Sequence, residues 1–427
     1  MAAPSSQERV LLAIEHRESD RVPLDLGATN VTGMHANTVY ALRQALSLDP
    51  PGTPVKVVEP YQILGEIKPD LLDALEVDVV QLPSPRTMFG FPNENWREWQ
   101  TPQGFPVLVP ESFNTDTEPG GDVFMYPQGD KSAPPSGHLP ADGWYFDAII
   151  RQPPIDEDTL EPEDNLEEFP LVSQADLDFY EREAARVRSG SDRAVVGGFG
   201  GTAFGDIAYV PGIQLKHPRG IRDVEEWYVS TLSRRDYVYE VFDRQCDIAL
   251  TNLARIHAVI GDRIDVLFVS GTDFGMQTGS MISPDHYREL FQPFHIRVND
   301  WIHANTTWKS FIHSCGSVAN LLEGFIESGF DIFNPVQVSA TDMGAESLKA
   351  RFGGRIAFWG GGVDTQHTLP FGTPDEVRAE TRERLRTFGA GGGFIFNPVH
   401  NIQPNTPVEN VLALYESVRD FRAYPVT

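Results

Sequence analysis

The clearest chemical signal in the sequence is a pair of metal-binding residue types two positions apart. His313 and Cys315 end an apolar segment, residues 308–316, whose composition predicts a β-strand. Because side chains alternate between the two faces of a strand, these two would point the same way and could bind one ion. His400, at the end of a later apolar segment, is the third candidate ligand. Together they predict a catalytic zinc site with an open fourth position.

The choice of metal follows from the ligand types. Zn²⁺ accepts imidazole nitrogen and thiolate sulfur in tetrahedral geometry, which suits two histidines and one cysteine. With one thiolate the site keeps a net positive charge, so the ion would act as a Lewis acid. The alternative is that His313 and Cys315 are ordinary core residues. The other cysteine, Cys246, lies in a helical pattern and is predicted to be core.

Eight apolar segments alternate with amphipathic ones and could position these ligands. Each is rich in β-branched or aromatic residues and ends in turn-forming residues. They are residues 21–27, 77–82, 193–199, 264–270, 307–315, 330–338, 355–362 and 393–400. The alternation predicts an α/β fold, a (β/α)8 TIM barrel whose active site is formed by the loops after the strands. A doubly wound sheet is the alternative. In a barrel the fifth and eighth strands are not neighbours, so the ligands must meet over the barrel mouth.

The domain organisation is predicted to be a single barrel over residues 1–427 with a long insertion. Residues 83–170 are rich in proline, glycine and acidic residues and are too long for a simple loop. We interpret them as an insertion after the second strand that forms a cap over the barrel mouth, or else as a surface decoration. Helices are predicted to begin at three caps, Ser283, Thr373 and Thr406, the last two as capping boxes with a following proline.

Further polar residues follow the predicted strands, where a barrel places its active site. Asp273, after the fourth strand, is the catalytic candidate. The candidate substrate-binding residues are Asp25, Gln277, Asn334, Gln337 and Asp364. Solvated loop positions are the alternative for all of them, and Asp364 could instead cap the next helix. The glycine-rich residues 197–205 lack the pattern of a phosphate-binding loop, so we expect a close backbone approach there.

Composition restricts the partners. The 427 residues carry a formal net charge of −27, which argues against nucleic acid or an anionic membrane surface as a partner. Two cysteines are too few for a disulfide framework. No segment approaches the roughly 20 apolar residues needed to span a bilayer, and the N-terminus has no signal-peptide pattern. We therefore expect a cytoplasmic protein with reduced thiols; its oligomeric state stays open.

These motifs resemble the uroporphyrinogen decarboxylase-like superfamily. The similarity is strongest from Trp308 to Tyr415, in residues 313–317, 360–365, 372–377, 397–403 and 406–410. One branch of that superfamily decarboxylates tetrapyrroles without metal, using arginines after the first strand. The cobalamin-dependent methyltransferases instead hold zinc with His-x-Cys and a later cysteine. This chain has no arginine in residues 24–30, and His313 and Cys315 match His-x-Cys, whereas His400 replaces the later cysteine.

The resemblance implies a zinc-dependent methyltransferase that exchanges a methyl group between a small, methoxylated substrate and a separate corrinoid protein. Replacing a thiolate ligand by neutral imidazole makes zinc more electrophilic, which favours demethylation of the substrate. Methylation of a thiol or of tetrahydrofolate is an alternative. A metal-free decarboxylase is the second hypothesis for the function, and a non-catalytic barrel that only binds a ligand or a partner protein is the third.

Overall fold

The centre of the protein is a seven-stranded parallel sheet, as seen in a computed structural model that describes residues 3–426. Consecutive strands in the chain are neighbours throughout the sheet, and each pair is parallel. We call them the second to eighth barrel strands, in chain order Val79–Gln81, Ala194–Gly197, Val266–Ser270, Lys309–His313, Ile332–Asn334, Ala357–Trp359 and Phe394–Ile395. Each lies within the segment predicted for it.

Residues 21–27 take the first barrel position. Leu24 forms an isolated parallel bridge with Phe396, and the Asp25 N–H donates to the Phe396 carbonyl at 2.9 Å. On the other side, the Asp78 N–H donates to the Leu24 carbonyl at 2.8 Å. Pro23 has no N–H to donate, so no regular ladder forms here. The segment therefore joins both edges of the sheet, and the predicted (β/α)8 TIM-barrel class is confirmed.

Helices separate the barrel strands, as the barrel topology requires. In the described part of the chain the α-helices are Ser6–Ile14, Ala36–Ala45, Pro69–Ala74, Gln174–Gly190, Val224–Ser233, Arg235–Ile260, Pro284–Leu290, Gln292–Asn305, Leu322–Glu327, Ala345–Phe352, Thr368–Phe371, Pro374–Gly389 and Val408–Phe421, with 3-10 turns at Pro127–Gly129 and Pro162–Leu166. Cys246 is fully buried in one of them, as predicted for a core residue. Across residues 3–426, none of these helices has the length and apolar character of a membrane-spanning segment.

Two of the three predicted helix caps are confirmed. The Ser283 and Thr373 side chains accept from backbone N–H groups in the first turn, and Thr373 forms a full capping box. The prediction for Thr406 is wrong. That helix begins at Val408 with Pro407 as its extended N-cap residue, and no side chain caps it. The shift by one residue moves Glu409 out of the position that a capping box needs.

The insertion at residues 83–170 contributes to two small sheets. One is ordered Leu64–Gly65, Val55–Glu59, Pro106–Val109, Arg97–Gln100, and the other is ordered Thr115–Thr117, Val123–Met125, Gly137–Leu139, Asp147–Ala148. The strands at residues 55–65 precede the insertion and were not predicted. The Trp144 carbonyl lies 2.9 Å from Nε2 of His35, which follows the first barrel segment. Because that loop leaves the carboxyl end of the barrel, the contact brings the insertion to the predicted mouth side; its role as a cap stays a prediction.

Candidate metal centre

Three potential metal ligands meet at the carboxyl ends of the strands. His313 is the last residue of the fifth barrel strand, Cys315 follows two residues later, and His400 lies five residues beyond the eighth strand. One ligand atom from each lies within 4.8 Å of the others. The His313 and His400 ring centroids are 5.6 Å apart, and the Cys315 Sγ is 3.2 Å from the His313 Nε2. The two rings thus approach each other although two strands separate the fifth from the eighth.

Asn334 determines which nitrogen of His313 faces the other two ligands. The Nδ1 of His313 lies 2.5 Å from the Asn334 Oδ1, an atom that can only accept. The Asn334 side chain is itself oriented, because its Nδ2 donates to the Trp359 carbonyl at 2.6 Å. The imidazole therefore carries its proton on Nδ1 and keeps a lone pair on Nε2, next to Cys315. A partner on the far nitrogen is typical of metal-binding histidines.

The loop that carries Cys315 is held by two side chains from the loops after the neighbouring strands. The Cys315 N–H donates to the Asp273 Oδ1 at 2.6 Å, and the Gly316 N–H donates to the Gln337 Oε1 at 2.8 Å. Gly316 has a φ of +84°, and a Cβ there would lie 2.5 Å from the carbonyl carbon of Gly275. Only glycine fits such a close backbone crossing. The Cys315 sulfur is thereby held beside His313.

Burial controls the protonation of the ligand side chains. Burial and the neighbouring carboxylate of Asp273 raise the pKa of the Cys315 thiol well above its usual range. Burial, with a smaller contribution from His313, lowers the pKa of His400 to about 3. Without a cation the cluster is a neutral thiol beside a neutral His400. A bound cation would favour the thiolate, since a metal lowers the pKa of a coordinating thiol.

This donor set fits zinc. It offers one sulfur and two imidazole nitrogens, and three protein ligands with one position left for substrate are typical of catalytic zinc sites. The Asp273 Oδ1 lies 3.7 Å from the His313 Nε2, so a carboxylate also borders the cluster. The metal role of the three residues and the catalytic role of Asp273 stay predictions.

The predicted substrate-binding residues turn out to be engaged within the protein. Asn334 and Gln337 support the ligands as described. Gln277 accepts from the Gln337 Nε2 at 3.0 Å and donates to the Ser339 carbonyl at 2.7 Å. These contacts favour a positioning role for the three amides; binding of substrate by them stays a prediction.

The two remaining carboxyl candidates have their oxygens occupied as well. Asp25 is fully buried and accepts from the Trp359 Nε1 at 2.7 Å and from the Ala28 N–H at 3.1 Å. Burial raises the pKa of Asp25 to about 7. Asp364 accepts from the Gln366 N–H at 2.7 Å, in the turn that precedes helix Thr368–Phe371. Asp364 does not cap that helix, because His367 is its N-cap residue and no side chain caps it.

Two residues beside the cluster were missed. Tyr228, in helix Val224–Ser233, donates its hydroxyl to the Asp273 carbonyl at 2.5 Å. Asp206 is buried in the loop after the third strand, and its pKa responds to the charge of Asp273. Nothing local distinguishes Tyr228 in the sequence. Asp206 directly follows the glycine-rich residues 197–205. Its position in the loop after a predicted barrel strand could have identified it as a candidate active-site residue.

Comparison with known proteins gives one family. Residues 219–421 match the family model described as uroporphyrinogen decarboxylase (URO-D). The uroporphyrinogen decarboxylase of Coxiella burnetii is 35% identical over 81 residues, 19% of this chain and 21% of that protein. The enzyme of the same name from Chlorobium phaeovibrioides is 27% identical over 180 residues, 39% of this chain and 48% of that protein. The aligned regions thus span from about a fifth to about half of these relatives.

Among solved structures, a methyltransferase from Methanosarcina mazei shares the fold. The TM-score is 0.54 and the sequence identity is 18%, and the alignment covers 98% of this chain and 99% of that chain. The fold therefore extends over nearly the whole chain, well beyond the region of sequence similarity.

Proposed function

Because residues 219–421 match the uroporphyrinogen decarboxylase family model, we propose that this chain is a zinc-dependent methyltransferase of that superfamily. It moves a methyl group between a small, methoxylated substrate and a separate corrinoid protein. The proposal rests above all on the convergence of His313, Cys315 and His400 at the barrel mouth. A structural neighbour named as a methyltransferase supports the same reaction class.

The three ligands would hold the ion, and when bound it would supply Lewis-acid stabilisation for an oxygen that loses a methyl group. The chain's own contribution is the orientation of those ligands. Asn334 orients the His313 ring so that Nε2 faces Cys315, and Asp273 and Gln337 hold the loop on which Cys315 lies. These are the supports that a metal site needs around its ligands.

The ligand set also favours one direction of transfer. Two neutral imidazoles and one thiolate leave more positive charge on the ion than one imidazole and two thiolates would. A more electrophilic ion stabilises a leaving oxygen better, and it makes a bound thiolate less nucleophilic. We therefore assign the demethylating direction, with the partner's reduced corrinoid as methyl acceptor. Transfer to a thiol or to tetrahydrofolate is the alternative outcome.

A metal-free decarboxylase is the second candidate, since the matched relatives carry that name. Two observations weigh against it. The loop after the first barrel segment, residues 24–30, has no arginine to bind a substrate carboxylate. The acidic side chains beside the metal cluster, Asp273 and Asp206, offer no positive charge to bind an anionic porphyrinogen.

Metal analysis and a methyl-transfer assay test the proposal together. Purified protein should contain about one zinc per chain, and the His313→Ala, Cys315→Ala double variant should lose it. Cys246→Ala is the control, because Cys246 is buried in helix Arg235–Ile260, away from the cluster. With methoxylated donors and cob(I)alamin, the wild type should change the corrinoid absorbance and the double variant should not. Decarboxylation that persists after chelation would overturn the proposal.

A further inference from the structure

Asp206 has a fixed place at the carboxyl ends of the barrel strands. A Cβ on Gly271, the residue after the fourth strand, would lie 2.7 Å from the Asp206 Oδ2. Two hydroxyls fasten the Asp206 loop to that strand end: Thr202 donates to the Val269 carbonyl at 2.5 Å, and Thr272 donates to the Phe204 carbonyl at 2.7 Å. The Asp206 carboxyl therefore faces the strand that leads into Asp273.

The Asp206 carboxyl is buried with one oxygen unused. The residue is 6% exposed, and its Oδ1 accepts from the Ala208 N–H at 2.9 Å. Within residues 3–426, no hydrogen bond reaches its Oδ2. The Oδ2 does not belong to the fully buried unpartnered atoms of residues 3–426, so it keeps enough exposure for a polar group of a substrate to reach it. Burial, together with the charge of Asp273, raises the pKa of Asp206 to about 7, so a large part of the population carries a proton at neutral pH.

Two other buried carboxyls, those of Asp25 and Glu59, can be compared with Asp206 by the hydrogen bonds that their oxygens accept. Burial also raises the pKa of Asp25 and Glu59 to about 7. Both oxygens of Asp25 accept hydrogen bonds, and those of Glu59 accept from the Tyr61 and Gln62 N–H groups at 3.0 and 2.8 Å. Tyr228, the nearby hydroxyl, already donates to the Asp273 carbonyl. Within this set of described residues, Asp206 is the group with an oxygen free to serve a substrate.

We propose that Asp206 is the general acid that protonates the oxygen released when the substrate loses its methyl group. This inference rests on the proposed function and deepens it. Asp206 faces Gly271, two residues before Asp273, and the Asp273 Oδ1 lies 3.7 Å from the His313 Nε2. A substrate oxygen beside the cluster would thus lie on the side of the mouth that Asp206 occupies.

The step balances as follows. The bond between the methyl carbon and oxygen breaks, and its electron pair stays on the oxygen. The reduced cobalt of the partner's corrinoid supplies the electron pair of the new bond to the methyl carbon. Asp206 gives its proton to the oxygen, which leaves as a hydroxyl group, and the carboxylate regains a proton from solvent. General acids of this kind contribute about 10²- to 10⁴-fold in rate.

The test compares donors that differ in their need for a proton. In the zinc-loaded enzyme with cob(I)alamin, Asp206→Asn should slow demethylation of methoxybenzene by about 100-fold or more. It should slow 4-nitromethoxybenzene far less, because nitrophenolate leaves without protonation. Glu59→Gln is the matched control and should show no difference between donors. Equal slowing of both donors by Asp206→Asn, or no slowing, would overturn the inference.

A second readout does not depend on activity. Infrared spectra of the metal-free protein at neutral pH should contain a protonated-carboxyl band that Asp206→Asn removes and that titrates near pH 7; its absence would overturn the inference. If Asp206→Asn fails to fold, Gly271→Ala provides the alternative, because the added methyl group displaces the Oδ2 while keeping the acid. That variant should show the same difference between donors. If the wild type transfers no methyl group, the proposed function itself is refuted. The infrared spectrum still shows in that case whether Asp206 carries a proton.

Discussion

Replacing Asn334 by alanine tests how much the orientation of the ligand His313 contributes to zinc binding. The substitution leaves all three ligands in place but removes the acceptor of the His313 Nδ1–H and the donor to the Trp359 carbonyl. Both groups are then buried without a partner, and each such loss costs about 1–3 kcal/mol. The free energy of unfolding of the metal-free protein should therefore fall by roughly 2–6 kcal/mol.

The effect on zinc should be separate and measurable. Without Asn334 the imidazole is free to change tautomer and to rotate, so fewer molecules present a lone pair on Nε2. Loss of such a supporting residue weakens metal binding by about 10- to 100-fold. Competition with a chromophoric chelator measures the dissociation constant directly, and urea unfolding of the metal-free protein measures the stability.

Asn299→Ala is the matched control for this prediction. Asn299 is also fully buried, and its Nδ2 donates to the Ser328 carbonyl at 2.7 Å, away from the three ligands. Only the Ser328 carbonyl loses a partner there, because the Asn299 Oδ1 has none within residues 3–426, so the free energy of unfolding should fall by about 1–3 kcal/mol. The zinc affinity should stay at the wild-type value. If Asn334→Ala binds zinc within threefold of the wild type, or if both variants lose affinity equally, the reasoning about His313 is refuted.

Three further predictions concern the surroundings of the site. Gly316→Ala should lower the free energy of unfolding, measured by chemical denaturation, by about 2–4 kcal/mol, because its Cβ would overlap the Gly275 backbone. Gly279→Ala is the control and should be nearly neutral, because a Cβ there would meet open space. Asp25 has a folded-state pKa raised to about 7, so its contribution to stability should decline as the pH rises from about 4 to about 7. Asp25→Asn should make the free energy of unfolding less dependent on pH in that range, by up to ~1.4 kcal/mol per pH unit. An unchanged slope would contradict the raised pKa of Asp25. Zinc at 100 times its dissociation constant should stabilise the wild type by about 2.7 kcal/mol in thermal unfolding, and the His313→Ala, Cys315→Ala variant should not respond.

The barrel could be predicted because its strands are short, apolar and bounded by turn residues. All eight segments occupy the expected positions, and the caps at Ser283 and Thr373 marked true helix starts. The cap at Thr406 failed because the choice between two adjacent start residues depends on tertiary contacts. In the observed register Asn410 donates to the Leu369 and Gly372 carbonyls, and these contacts have no local signature in the sequence.

The site was predictable to the extent that residue type defines chemistry. A His-x-Cys pair and a later histidine identify ligands by their donor atoms, and the structure brings those three together. The supporting groups are different, because an asparagine or a glutamine has no preferred role until its neighbours are known. Asn334 and Gln337 were therefore predicted to face substrate, and Asp206 was overlooked. Its burial and unpaired oxygen exist only in the folded chain.

The barrel closes irregularly at its first segment, and a bound metal ion would affect the local stability of this closure. Leu24 and Phe396 form a single bridge, whereas the second to eighth strands share ladders, so this seam between the first segment and the eighth strand is less reinforced than those ladders. His400 follows the eighth strand at the edge of the seam, and His313 and Cys315 follow the fifth strand in the same laddered part of the wall. An ion bound by all three would hold the loop after the eighth strand, which borders the seam, to the loop after the fifth strand. Loading with metal would then slow the local opening of the seam that lets amide protons exchange with water.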